Sequence, residues 1–137
     1  MTNKEIIKKI REHLVIQPYR CTNSTWNSGS SCMYRNRNGD RCFIGALIPD
    51  DKYDPQIEGI TMDMVVDYVY RENSDQIQSK FDYPHRVGVN TFLRILEDID
   101  IQGNQFQFLS VLQEIHDLEK LFEDAEEQLM KLELEYC

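Results

Sequence analysis

Cys32 and Cys42 stand with nine residues between them around an Asn38-Gly39 dipeptide, and a His116-Asp117 pair follows far down the chain. These are the side-chain types of thiol catalysis, in which a cysteine nucleophile needs a neighbouring base and a third group to orient that base. Cys32 or Cys42 as thiolate, His116 as base and Asp117 or Asp50 as orienting carboxylate would complete such a set. The spacing argues against it: successive helical residues point about 100° apart, so Asp117 is poorly placed to orient its neighbour. The same Cys32, Cys42 and His116 are the candidate metal ligands, yet the C-x-x-C knuckle usual in structural zinc sites is absent. The plainer reading makes both cysteines small buried hydrophobes and His116 a hydrogen-bond partner of the hairpin or loop. No complete catalytic signature, phosphate-binding loop or zinc module occurs, and no cofactor is implied.

Arg35, Arg37 and Arg41 crowd the same stretch of an otherwise acidic chain. Guanidinium groups beside backbone amides suit phosphate or carboxylate ligands. With Tyr34, Asp50, Tyr53 and Glu58 they form the candidate ligand-binding set, and its ligand class would be a small anionic nucleotide; solvated hairpin arginines are the plain alternative. Asp50, Asp51, Asp54 and Glu58 lack calcium-loop spacing and read as turn and cap residues.

Several elements must position these groups. Thr2 followed by Glu5 is a capping-box signature, and Ile6, Ile7, Ile10 and Leu14 share one face, which predicts a helix over residues 3–15 with Lys4, Lys8, Lys9 and Arg11 outward. Residues 17–31 have no period and predict a surface loop with Tyr19 and Trp26 as anchors. Strands over 32–36 and 41–47 are expected on either side of the Asn-Gly turn. A three-residue loop, 38–40, would put Cys32, Tyr34, Cys42 and Ile44 on one face, whereas a two- or four-residue loop would separate the cysteines. Gly45 inside the apolar run suggests a bulge or a close backbone approach. Thr61 caps a short helix with Met62, Val65, Val66 and Val69 inward. Residues 74–88 are polar and end in a Tyr83-Pro84 break, after which Asn90 caps a helix carrying Phe92, Leu93, Leu96 and Ile99.

The final stretch has the clearest periodicity. Phe108, Val111, Ile115, Leu118, Phe122, Ala125, Leu129 and Leu132 alternate spacings of three and four, a heptad seam that predicts one acidic helix over 104–135. Its length would be about 45 Å. The flanking positions hold glutamates and no Lys or Arg, so a parallel homodimer would oppose like charges, although a homo-oligomer stays open. The basic first helix is the preferred partner within the chain, leaving the distal end, through Glu119, Glu123, Glu126 and Glu133, for another protein. The expected fold is α+β, one domain over 1–137, with a β-hairpin packed on a helical bundle and a long C-terminal heptad helix.

The chain of 137 residues has a net charge of -9, divided unevenly: residues 1–60 are net +2 and residues 61–137 net -11. A nucleic-acid backbone would be repelled by the acidic half, and a basic protein surface attracted. No apolar stretch of about 18 residues and no signal-peptide core occurs, so a cytoplasmic protein with no membrane partner and its four cysteines as thiols is expected.

The run Cys32-Met33-Tyr34-Arg35, then Gly39-Asp40-Arg41-Cys42-Phe43-Ile44-Gly45-Ala46-Leu47-Ile48-Pro49-Asp50, then Tyr53 and Glu58-Gly59, resembles a motif block of a family of small phage and prophage proteins to which no reaction is attached. Leu112-Gln113-Glu114-Ile115-His116-Asp117 is similar to that family's second block. Many members carry a cysteine where this chain has Ala46. The resemblance implies a phage-type accessory protein, a class that includes inhibitors of host defence and host-takeover factors. The expectation is non-enzymatic binding of a host or phage protein in the bacterial cytoplasm, with a nucleotide sponge and a Cys/His-dependent enzyme or metal protein as alternatives.

Overall fold

The capping box at the start of the chain forms as its residue types dictate, with the Glu5 amide donating to Thr2 Oγ1 at 3.1 Å and the Thr2 amide to Glu5 Oε2 at 2.8 Å. It opens α1 (Asn3–Ile16), which buries Ile6, Ile7 and Ile10. The structure, a computed structural model, describes residues 1–22, 32–72 and 84–137. The expected loop around Trp26 and the Tyr83 break lie outside the described residues. After α1 come α2 (Met62–Glu72), α3 (Arg86–Asp98), α4 (Phe106–Asp117), α5 (Glu119–Glu123) and α6 (Ala125–Tyr136), with single 3-10 turns at Gly45–Leu47, Pro55–Ile57 and Gly103–Gln105. Helix α4 is the hub: it packs on α2, α5 and α6, while α1 packs on α6 and on the Gly45–Leu47 turn.

The expected α+β class is not what forms. Among the described residues there is no strand and no sheet, only two isolated antiparallel bridges, Thr22 with Cys32 and Arg35 with Arg41. The Asn-Gly turn itself is present, with Gly39 at φ 83° and Asn36 Oδ1 accepting from the Asn38 and Asp40 amides. Arg35 opposes Arg41, and Cys32 pairs with Thr22 in a different segment, so none of the alternative hairpin registers for the cysteines arises. The second strand fails because the chain coils immediately after Cys42. Ala46 donates to the Cys42 carbonyl at 2.8 Å and Leu47 to that of Ile44 at 3.0 Å, local bonds of a helical turn. Cys42, Phe43, Ile44, Gly45, Leu47 and Ile48 are all buried, so the run has no solvent face to give it the alternation of a half-buried strand. The close approach expected at Gly45 is there: a Cβ on it would lie 2.1 Å from the Tyr34 carbonyl oxygen.

The single heptad rod is also corrected. Leu118 is extended at φ -92°, ψ 116°, and Asp124 interrupts the chain again before α6. The Phe108 ring at the start of α4 lies 5.3 Å from that of Tyr136 at the end of α6, so the seam folds back on itself. A lone helix can bury its stripe only against something else, and bending lets Phe108, Ile115, Leu129 and Leu132 enter one core. Leu118, at the bend, is left 49% exposed. Arg20 supplies the donor that a helix C-terminus lacks, its Nη1 reaching the Asp117 carbonyl at 2.9 Å.

The other elements lie close to expectation. Thr61 Oγ1 accepts from the Met64 amide at 3.2 Å, as a cap of α2 should. Helix α3 begins at Arg86, so Asn90 lies within it rather than capping it. The basic first helix does meet the acidic last one. Arg11 pairs with Glu126 at 2.8 Å and with Glu133 at 2.7 Å. Arg11→Ala should lower stability by about 1 kcal/mol, with the difference shrinking as salt is added, which thermal unfolding at two ionic strengths reads directly.

Candidate functional site

The two motif blocks converge in space through Gln113 and Tyr34, which are 79 residues apart along the chain. Gln113 Oε1 accepts from the Met62 amide at 2.7 Å, Gln113 Nε2 donates to Tyr34 Oη at 2.7 Å, and the Tyr34 hydroxyl donates to the Ile60 carbonyl. Tyr34 is buried, and its ring meets Phe92 edge to face at 5.2 Å. Burial pushes its phenol well up, so it stays a neutral donor. Tyr34→Phe would strand the Gln113 amide and the Ile60 carbonyl. It should cost about 2 kcal/mol, seen as a lower denaturant midpoint with the slope unchanged.

Below this bridge Glu58 holds the loop in place. Its two oxygens accept from the Tyr34 amide at 2.9 Å, the Arg35 amide at 3.1 Å and the Tyr53 hydroxyl at 2.6 Å. Arg35 lies 4.6 Å over the Tyr53 ring and donates to the Ile48 carbonyl. Arg35 and Arg41 both reach Asp50 Oδ1, at 2.8 and 2.6 Å. Six of the seven candidate ligand-binding residues therefore form one connected cluster; Arg37 stands exposed at the turn, outside it. The acidic residues of this loop split between roles, since Asp54 caps the Gln56 amide at 2.8 Å.

A second cluster forms where the residues after α1 cross the end of α4. His116 is buried, with Nε2 accepting from the Cys21 amide at 3.0 Å and Nδ1 2.8 Å from Asp117 Oδ1. An amide can only donate, so Nε2 carries the lone pair and Nδ1 the proton given to Asp117. The expectation that Asp117 is poorly placed to orient His116 is overturned. Asp117 is the last residue of α4 with Leu118 extended beyond it, and the carboxylate reaches the ring at the helix end. The orientation is nevertheless not that of a catalytic pair, because the basic nitrogen is already engaged by Cys21.

The thiols are unactivated. Cys32 is pushed up to about 11 by burial first and then by Asp117, against the lowering effect of Arg20, whose Nη1 lies 3.7 Å from its sulfur. Burial raises Cys21 to about 12 and holds Cys42 well above the ordinary thiol range. Cys42 Sγ accepts from the Gly45 amide at 3.2 Å, a structural use. Native protein at neutral pH should therefore be alkylated by iodoacetamide at exposed Cys137 well before Cys21, Cys32 or Cys42, as read by peptide mass mapping. Faster labelling of Cys32 would reveal a thiolate that this arrangement does not support.

Cys32, His116 and Asp117 do place one ligand atom each within 4.8 Å of one another. Their chemistry does not fit a cation. Ligation through Nδ1 would move the imidazole proton to Nε2, against the Cys21 amide, and the Arg20 guanidinium already faces the sulfur. Cys42 is not in that cluster. Arg20 escaped notice in the sequence; the one available signal was a lone cation in the uncharged stretch between Gln17 and Ser31.

The four acidic partner candidates separate. Glu119 and Glu123 are exposed on α5, whereas Glu126 and Glu133 are turned to Arg11. Exposed Glu127 lies one turn before Met130, and Met130 one turn before Leu134, both exposed. Among the described residues no helix is long and apolar enough to cross a membrane.

Comparison with known proteins adds nothing to this geometry. No protein-family model matches the chain, and neither does any curated protein or solved structure.

Proposed function

We propose that this chain is a phage-type accessory protein that acts by non-enzymatic binding, in counter-defence or host takeover, and that it engages a basic protein partner through the outer surface of α5 and α6. The observation that carries this reading is that α5 exposes Glu119 and Glu123 while α6 exposes Met130 and Leu134 beyond exposed Glu127, whose carboxylate lies 3.7 Å from Lys131. Acidic groups around exposed apolar side chains suit a partner of opposite charge with apolar anchors of its own. A second copy of this chain would bring like charge to like. His116, Cys42, Tyr34 and Glu58 support the same reading, since they spend polar atoms on internal hydrogen bonds.

The test is charge reversal at positions that do not hold the fold. Tagged wild-type chain and the Glu119→Lys/Glu123→Lys variant are compared in capture from bacterial host lysate across a salt series. The reading expects a basic protein retained at low salt by the wild type, lost at high salt and lost in the variant. Retention by the variant equal to the wild type would remove it. Reversal at Glu126 and Glu133 is unsuitable, because it would expel Arg11 and destabilise the α1 and α6 packing.

A further inference from the structure

Two guanidinium groups meet at one oxygen of one carboxylate. Arg35 Nη1 lies 2.8 Å, and Arg41 Nη2 2.6 Å, from Asp50 Oδ1. Each arginine carries five donors, so one shared oxygen is a thin supply of acceptors. Arg35 spends Nη2 on the Ile48 carbonyl at 2.5 Å, and its Nε is buried with no hydrogen-bond partner among the described residues.

The pair is also arranged in advance of any ligand. Arg35 is only 15% exposed, and its guanidinium is held over the Tyr53 ring, whose hydroxyl is tied to Glu58. Arg41 is fixed through its backbone, its amide donating to Gln17 Oε1 at 2.8 Å and its carbonyl accepting from Gln17 Nε2 at 2.9 Å. Asp50 is different in kind. It is 76% exposed, on the loop just after Pro49, and can swing into solvent without opening the core.

We propose that Arg35 and Arg41 form an oxyanion site for a phosphoryl group, with the Asp50 carboxylate as the internal occupant that the ligand displaces. A phosphoryl group presents several oxygens to the two forks where Asp50 presents one, which is the geometry guanidinium pairs match best. The other acids nearby are committed elsewhere: Glu58 to two backbone amides and the Tyr53 hydroxyl, and Asp54 to the Gln56 amide. Asp51 is exposed beside the site and supplies the control for a general charge effect. This inference stands apart from the protein-facing reading, which uses other residues on other helices.

Inorganic phosphate is titrated at low ionic strength into the full chain while the side-chain Nε signals of Arg35 and Arg41 are followed by NMR, for wild type, Asp50→Ala, Asp51→Ala and Asp50→Ala/Arg41→Gln. Release of the internal carboxylate should tighten binding by about fivefold or more, the equivalent of a modest ion pair. Asp51→Ala should change it less than twofold, and the added Arg41→Gln should return it to the wild-type level or below. Tightening in Asp50→Ala no greater than in Asp51→Ala, or retained in the double variant, would overturn the proposal. A parallel titration with a nucleoside monophosphate separates the two sources of the group. Tighter binding of the nucleotide than of phosphate assigns the site to nucleotides, and equal binding assigns it to the phosphoryl group alone.

Discussion

Gly45→Ala should lower the unfolding free energy by about 3 kcal/mol and the melting temperature by roughly 10 °C. The reason is a collision with main chain, which has nowhere to go: the added Cβ would sit 2.1 Å from the Tyr34 carbonyl oxygen and 2.9 Å from its carbon. Relief requires moving Tyr34 away from the Gly45–Leu47 turn. That movement strains the Cys42 amide bond to the Tyr34 carbonyl and pulls on the Glu58 contacts to the Tyr34 and Arg35 amides. Gly39→Ala is the informative comparison, because Gly39 has φ 83° but open space around the missing Cβ. Its cost should be the backbone penalty alone, about 1 kcal/mol. Denaturant and thermal unfolding of both variants decide the matter, and a Gly45→Ala cost no greater than that of Gly39→Ala would show that the two segments do not cross so closely.

His116→Ala should be comparably damaging, at about 3–4 kcal/mol, through two separable losses. The first is packing: the imidazole fills space against Phe43 at 5.2 Å and Phe122 at 5.6 Å, linking the Gly45 region to α5. The second is hydrogen bonding, since the Cys21 amide and the Asp117 carboxylate both lose their partner. His116→Phe restores the ring and not the bonds, so it should recover about half of the loss. In both variants the Cys21 amide should lose hydrogen-exchange protection, which packing alone would not explain for the phenylalanine. Variants as stable as the wild type, with the Cys21 amide still protected, would mean that His116 is not the post between the loop and α4.

The starts of α1 and α2 were legible from local patterns because local bonds decide them. Thr2 and Glu5, or Thr61 ahead of Met62, satisfy helix-end amides within one turn and need no distant residue. The attraction of the basic first helix to the acidic last one was legible too, since only one helix could offset that charge. The apolar run from Cys42 to Ile48 was not. A fully buried segment carries no alternation, and strand and compact turn then read alike until its packing partner, the Tyr34 backbone, is known.

The candidate clusters divide in the same way. The chemistry-bearing types were visible, and the crowding of Tyr34, Arg35, Arg41, Asp50, Tyr53 and Glu58 into one region followed from their closeness along the chain. Their partners were not, because Gln113, Arg20 and Asp117 act across long separations. Local pattern alone carried the charge division, the starts of α1 and α2, the Asn-Gly turn and the residue types able to bind or react. Long-range packing set the bend of the heptad seam at Leu118, the engagement of the basic nitrogen of His116 by Cys21, and the seat of Asp50 on the arginine pair. Each of those outcomes turns on a contact between distant segments, and periodicity and spacing carry no record of which distant segment arrives.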